Sequence, residues 1–368
     1  MKLLHLSDMH IGKRLYEVSL IEDQKYILEQ ILEITDKEKP DGIIIAGDIY
    51  DKSIPSAEAV EVFDDFLFSL SERKLKVFII SGNHDSPERI AFGSRIMCRG
   101  GIYLSPVYNG EITKIPLSDD VDIYMLPFVR PADVRRFYPD DDVQSYTDAV
   151  RVAIDHTETD PDHKNIIITH QFVTGASRCD SEDKSVGGTD NVDGSVFDKF
   201  DYVALGHIHG PQNVGTKKIR YCGSPLKYSF SESDHEKSVT IIEIDDDIKI
   251  RTEKLVPKHD LKNIKGEFED VMKTESEDYV RIILTDDVET PDALERLRFS
   301  FPNILTLEYD NKRTRASINY NVSENGTEKS PFEIFSDFYE KMNGGIGLNS
   351  EQQDYMKKLI EGLTEEQI

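Results

Sequence analysis

Apolar runs of four to six residues alternate with longer segments of helical spacing through the first two-thirds of the chain. Strands are predicted at 3–7, Gly42–Ala46, 75–81, Val121–Leu126, 165–169 and Tyr202–Leu205, and strands joined by turns over 218–250. Helices are predicted at 16–39, ending before Pro40, at 56–73 with Ser56 at its N-cap, at 86–97 with Pro87 in the first turn, and at 145–156. The strands are continuous apolar runs, not alternating ones, so both faces of their sheets should be covered. The fold class is α/β, a two-sheet sandwich flanked by helices.

The pattern changes near Pro257. A helix at 264–273, a strand at 279–285, a helix at 290–300 and a strand at 304–308 read as a small separate α/β unit. Residues 311–330 are polar and read as a linker. Two amphipathic helices follow, Pro331–Met342 and 350–363, around Asn343-Gly344-Gly345. The expected division is 1–256, 257–315, a linker over 316–330 and a helical hairpin over 331–368.

Charge and cysteine content narrow the options. The 368 residues carry 44 basic and 70 acidic side chains, a net charge of −26. That balance is unusual for a nucleic-acid enzyme and argues that this chain alone holds duplex DNA weakly. It leaves open a single cleft of different character, because exposed charges are screened beyond about 8 Å. The three cysteines are scattered, with no C-x-x-C pair, which fits a reducing compartment, and the cytoplasm is the expected location. No apolar run reaches the roughly 18 residues of a membrane span.

Five short motifs then stand out: Asp8-Met9-His10, Gly47-Asp48, Gly82-Asn83-His84-Asp85, Ile168-Thr169-His170 and Gly206-His207-Ile208-His209. Most follow an apolar run, which places them at the carboxyl edge of a sheet, where α/β folds bind ligands. Singly each has a bland explanation: a polar pair at a strand end, an N-capping aspartate, a satisfied core histidine. Five in this order, each ending a strand, make a poor set of accidents. Asp8 and His10, like His207 and His209, should share one side of an extended segment. Aspartate, asparagine and histidine together suit manganese, iron or zinc better than calcium, and the lack of cysteine ligands argues against structural zinc. Two such ions would supply both a nucleophile and charge neutralisation for hydrolysing a phosphodiester.

This motif set resembles that of the calcineurin-like metallophosphoesterases. Leu126-Pro127-Phe128-Val129-Arg130-Pro131, Ser185-Val186-Gly187-Gly188-Thr189 and the segment from Tyr221 to Phe230 resemble more narrowly the SbcD family of nuclease subunits from double-strand-break repair complexes. The resemblance runs from Met1 to the terminal helices and is loose over about 258–315. It implies that Asp8, His10 and His209 hold one divalent metal ion, that Asn83, His170 and His207 hold a second, and that Asp48 bridges them, with Mn2+ as the metal. It gives His84 the catalytic role of stabilising charge and protonating the leaving oxygen, and suggests that Asp85 orients it. It further implies a capping, DNA-positioning role for the small unit. The terminal hairpin would dock on the coiled coil of an SbcC-type ATPase, with two copies of each subunit in the complex. The activity implied is single-strand endonuclease and ATP-dependent 3′-to-5′ double-strand exonuclease.

Lys13, Arg14, Arg89, Arg130 and Lys227 can be phosphate contacts or ordinary solvated cations. Two other classes of function compete. A nucleotide or phosphoprotein phosphatase is disfavoured by Lys52 and Asp85, where the protein phosphatases of this superfamily carry arginine and glutamate. A non-catalytic scaffold is disfavoured because no ligand is missing.

Overall fold

A computed structural model describes residues 1–182, 190–216, 218–311, 331–342, 347–353 and 355–356. Two six-stranded sheets form the body. In the first, Ile248–Lys254, Ser238–Ile244, Lys2–Leu6, Gly42–Ala46, Lys76–Ile80 and Ile102–Leu104 lie side by side in that order. In the second the order is Gln212–Asn213, Ile219–Tyr221, Tyr202–Leu205, Lys164–Thr169, Val121–Leu126 and Thr113–Pro116. The central pairings in each are parallel.

The apolar runs are explained by what covers them. Alternate residues of the first sheet (Leu3, Ile44, Phe78, Ile80) pack against alternate residues of the second (Ile123, Met125, Ile166, Ile168, Ala204). Their neighbours face outward onto helices. Leu4, Ile43, Ile45 and Ile79 meet Ile21–Glu38 and Ala57–Glu72, whereas Tyr124, Ile167 and Val203 meet Tyr146–Asp155. The side-chain period of two thus feeds two different cores from each strand. Ser56 caps its helix as expected, its hydroxyl accepting from the Ala59 amide at 3.2 Å.

Several elements depart from the sequence reading. The first long helix begins at Ile21, not at 16, because 14–19 form a tight hairpin of Arg14–Leu15 with Val18–Ser19. The helix expected at 86–97 is two separate turns, Pro87–Ile90 and Ser94–Met97, interrupted by Gly93 at φ +75°. Residues 264–273 are not one helix: Leu261–Gly266 is a strand and Phe268–Val271 a single turn.

The strand Leu261–Gly266 joins Tyr279–Leu284 and Ile304–Tyr309 in a three-stranded parallel sheet. This sheet has its own core of Phe268, Val271, Val280, Ile282, Leu297 and Phe301. It is nonetheless continuous with the body. Leu261 and Tyr279 belong to the core around the first sheet, and the Tyr279 hydroxyl donates to buried Asp23 at 2.8 Å. One compact unit therefore runs from Met1 to Asp310.

The second unit, 311–368, contains the helix Pro331–Met342 and helical residues at 350–353 and 355–356. The Gln352 amide donates to the Tyr339 hydroxyl at 3.1 Å. The expected linker and the rest of the second terminal helix lie outside the described residues. Among the described residues no helix is long and apolar enough to cross a membrane.

Two outcomes test this architecture. Phe301, fully buried, is with Phe268 one of the two buried phenylalanines of the small core. Phe301→Ala should lower unfolding stability by about 3–5 kcal/mol in urea titration, and a loss under about 1 kcal/mol would show the site is not packed as described. At Gly206 an added β-carbon would overlap the Ala46 carbonyl oxygen where the two sheets meet. Gly206→Ala should therefore lower the melting temperature by several degrees, whereas Gly215→Ala, which meets no neighbouring atom but has φ +62°, should cost only its local backbone strain.

Candidate metal centre

The five motifs leave the carboxyl ends of five parallel strands, three in the first sheet and two in the second. Asp8 follows Lys2–Leu6, Asp48 follows Gly42–Ala46 and Asn83 follows Lys76–Ile80. His170 directly follows Lys164–Thr169, and His207 and His209 follow Tyr202–Leu205. The sheets converge there, so residues far apart in sequence meet within a few ångströms.

The local backbone is not the extended one the spacing suggested. Asp8 (φ 51°), His10 (φ 42°), Asp48 (φ 50°) and His207 (φ 97°) all lie in the left-handed region. Each such residue costs on the order of 1–3 kcal/mol and persists only where surroundings enforce it. Here the loops enforce one another: the amides of Asp8 and His10 donate to the carbonyls of Gly47 and Asp48, both at 3.0 Å. Gly82 supplies the remaining closeness, since a β-carbon there would overlap the Asp48 carboxylate.

The donor atoms form two overlapping groups. His10 Nε2 and His209 Nε2 are 3.1 Å apart, and both residues cluster with Asp8. Asn83 Oδ1 lies 3.0 Å from His170 Nε2 and 2.9 Å from His207 Nδ1. Between the groups sits Asp48, whose Oδ2 is 3.2 Å from His170 Nε2 and 3.6 Å from His10 Nε2. The six charged or imidazole residues are all buried.

Hydrogen bonds behind the imidazoles fix which nitrogen faces the centre. His170 Nδ1 donates to the Ala46 carbonyl at 2.7 Å, so Nε2 points inward and offers a lone pair once its proton is lost. His209 Nδ1 meets the Ser181 hydroxyl at 2.7 Å, and that hydroxyl donates onward to Glu232 at 2.6 Å. The Ser181 oxygen is therefore the acceptor for His209, whose Nε2 also presents a lone pair. Two ligands about 2.1 Å from one ion, at roughly right angles, stand about 3 Å apart. The His10–His209 spacing fits that requirement, and the oxygen and imidazole donors suit a divalent ion.

The electrostatics of the metal-free chain fit as well. Burial opposes charge at Asp48, but His170, His10 and His84 around it hold its carboxyl well below the usual range. Burial likewise opposes a cation at His170, yet Asp48 and Asp8 push it up to about 9. His207, buried beside His170, is lowered to about 3. Burial raises Asp8. The site thus holds a proton on His170 in the place of a stronger cation.

His84 lies at the more exposed edge of the donors, with a ring nitrogen within 4.8 Å of ligand atoms of His10 and Asp48. Its Nε2 is 4.0 Å from Asp48 Oδ2, and its ring is edge-on to His10 at 4.8 Å. Its Nδ1 donates to the Asp51 carbonyl at 3.2 Å. The expected hydrogen bond from Asp85 is not made. Both Asp85 oxygens accept backbone amides instead, from Gly82 at 2.9 Å, Tyr50 at 3.1 Å and Ile49 at 3.2 Å, which ties the Asp48 loop to the Asn83 loop. Burial pushes Asp85 up to about 6.

Among the candidate phosphate contacts, Lys13 is paired with Asp51 at 2.8 Å and Lys227 with Asp260 at 2.9 Å. Arg130 lies over the Phe128 ring, and Arg14 and Arg89 are exposed.

Residues behind His209 were missed by the sequence reading. Lys237 is buried, pairs with Glu232 at 2.5 Å, and donates to the His209 carbonyl at 2.9 Å and to Ser224 at 2.8 Å. Glu182 accepts the His209 amide at 2.7 Å. Nothing in Ser231-Glu232-Ser233-Asp234-His235-Glu236-Lys237 distinguishes these two buried charges from the exposed ones beside them.

Comparison with known proteins identifies the family. Residues 1–211 match the model of the calcineurin-like phosphoesterases, and residues 257–343 match that of the type 5 capsule protein repressor C-terminal domain. The SbcD subunit of the SbcCD nuclease of Staphylococcus epidermidis is 32% identical over 375 residues, covering 98% of each chain. That of Staphylococcus saprophyticus is also 32% identical, over 379 residues, covering 100% of this chain and 99% of its own. A dimetal phosphatase from Danio rerio overlays 69% of this chain and 96% of its own, with a TM-score of 0.42 at 10% identity. The chain belongs to the calcineurin-like phosphoesterases and, within them, to the family of SbcD nuclease subunits, a family of metal-dependent nucleases.

Proposed function

We propose that this chain cuts DNA phosphodiester bonds at a two-ion centre, with manganese as the working metal. Asp8, His10 and His209 would hold one ion and Asn83, His170 and His207 the other, with Asp48 available to both groups. The observation that carries this reading is Asp48 Oδ2 within 3.6 Å of His10 Nε2 and 3.2 Å of His170 Nε2, one carboxylate facing both donor groups. When bound, two divalent ions neutralise phosphate charge and acidify a water to serve as nucleophile.

The side chains do the rest. The Asp51 carbonyl holds His84 Nδ1, so the ring offers Nε2 on its substrate side. Carrying a proton on both nitrogens, the ring stabilises charge growing on the phosphate and delivers its Nε2 proton to the leaving sugar oxygen, keeping the Nδ1 hydrogen on the Asp51 carbonyl. The Ser181–Glu232 relay keeps His209 in the tautomer that binds through Nε2. Working with an SbcC-type ATPase, the chain acts as a single-strand endonuclease and as an ATP-dependent 3′-to-5′ exonuclease on duplex ends, in the cytoplasm. The terminal hairpin binds the ATPase coiled coil, the unit at 257–315 positions DNA, and two copies of each subunit form the complex. Support comes from the relatives' name and from the aromatic face of Pro331–Met342, where Phe338 is exposed.

His84→Gln should lower cleavage of a manganese-supplemented DNA substrate by at least about 100-fold while elemental analysis still finds two ions per chain. Retained activity would remove His84 from the chemistry. A second outcome concerns protons. His170, at about 9, is protonated near neutral pH in the metal-free chain and must lose that proton to bind an ion. Metal affinity should therefore rise about tenfold per pH unit from 7 toward 9 and then flatten, with proton release seen by calorimetry in buffers of different ionisation enthalpy. An affinity independent of pH over that range contradicts the assignment.

A further inference from the structure

A cleft of about 350 Å³ opens beside the metal centre and shares a wall with it. Tyr228, one of its lining residues, packs edge-on against both His10 (5.4 Å) and His209 (5.7 Å). Ser181, another, is the hydroxyl that holds His209. The cleft is thus one side chain away from the donor atoms.

Its other walls have a consistent chemistry. Tyr16 and Phe230 lie with ring centroids 5.9 Å apart, and the Arg281 guanidinium sits 5.3 Å over the Phe230 ring. Ser229, Ser231 and Asp180 add hydroxyls and a carboxylate. The Arg281 guanidinium is already paired with Glu308 at 3.9 Å and donates to Asn263 at 2.8 Å, and Asp180 adds a negative charge, so the cleft is poorly suited to an anion. It offers planar faces with hydrogen-bonding groups at their rim. Its volume lies at the small end of the roughly 300–1,000 Å³ range of ligand pockets, too small for a duplex.

Tyr16 supplies the independent observation. It is 56% exposed, and it occupies the turn between Arg14–Leu15 and Val18–Ser19 with φ +45°, followed by Glu17 at φ +71°. A two-residue turn with both residues left-handed is ordinarily filled by Asn-Gly or Asp-Gly. A tyrosine and a glutamate there are strained, and such strain gathers at ligand clamps. The strain holds a largely exposed aromatic ring in the wall of the cleft, touching the core only through Phe230.

We propose that this cleft is a nucleobase subsite: it takes the unpaired base of a nucleotide flanking the phosphate being cut, stacking it on Tyr16 and the Arg281 guanidinium. The proposal rests on the nuclease reading above and adds to it that the strand must be locally single-stranded at the cut. Stacking on aromatic side chains is tolerant of sequence, so the subsite positions the strand without selecting a base.

The test uses the full chain with manganese and two substrates, a single-stranded oligonucleotide and bis(p-nitrophenyl) phosphate, a diester without bases. Tyr16→Asn removes the ring yet keeps a residue that tolerates the left-handed backbone. It should raise KM on the oligonucleotide about tenfold or more, and the loss in kcat/KM there should exceed the loss on the small diester by at least that factor. A single abasic position next to the cut should raise KM for the parent protein and have little further effect on the variant. Equal losses on both substrates, or an abasic penalty undiminished in the variant, would overturn the subsite. If the parent protein hydrolyses neither substrate, the nuclease reading itself falls. If it turns over the small diester while Tyr16→Asn leaves KM on DNA unchanged, only the subsite falls.

Discussion

One carbonyl oxygen, that of Ala46, sets how the two sheets meet. It ends the Gly42–Ala46 strand of the first sheet, accepts the His170 Nδ1 proton from the second, and lies against Gly206 so closely that no β-carbon fits between. Three of the five motif loops are placed by that contact. Because the sheets are rigid and covered on both faces, the loops inherit their precision and can hold strained backbone at Asp8, His10, Asp48 and His207. The fold spends stability at the loop ends and recovers it in the sheets.

Around His209 a different principle operates. Lys237 and Glu232 are charges withdrawn from water, tolerable only because each has several partners. Removing either partner would strand the other, so the pair acts as a clamp on Ser181 and on the His209 backbone. Tyr228 belongs to the same assembly, since its amide donates to Glu232 at 3.1 Å while its ring lies against His10 and His209. The segment from Tyr221 to Phe230 therefore builds the outer wall of the centre and one wall of the cleft beside it.

The seven donor residues that the structure brings together were legible because each follows a strand that is itself legible. A run such as Ile43-Ile44-Ile45 predicts a buried strand, and a polar residue just past its end has few structural reasons to be there. The supporting charges were not legible, since Glu232 and Lys237 sit in a segment whose composition resembles an exposed turn. The error at 264–273 has an equally local cause. Ile264, Phe268, Val271 and Met272 fall at helical spacing, yet Ile264 is in the strand and the others are in the turn that follows, so one apparent stripe joins two elements. Asp85 shows the limit of motif reasoning: adjacency to His84 suggested a partner, whereas its neighbours in space are three amides.

The first strand, Lys2–Leu6, lies between Gly42–Ala46 and Ser238–Ile244, and the donors that follow it, Asp8 and His10, wait for His207 and His209 about two hundred residues later. On a ribosome moving at about 5–20 residues per second, Asp8 and His10 emerge on the order of ten to forty seconds before their counterparts. An unfinished chain cannot close the cage, so the capacity to cut a polynucleotide arises only once the body is nearly whole. Chain order alone delays the site until its last donors, His207 and His209, have been made.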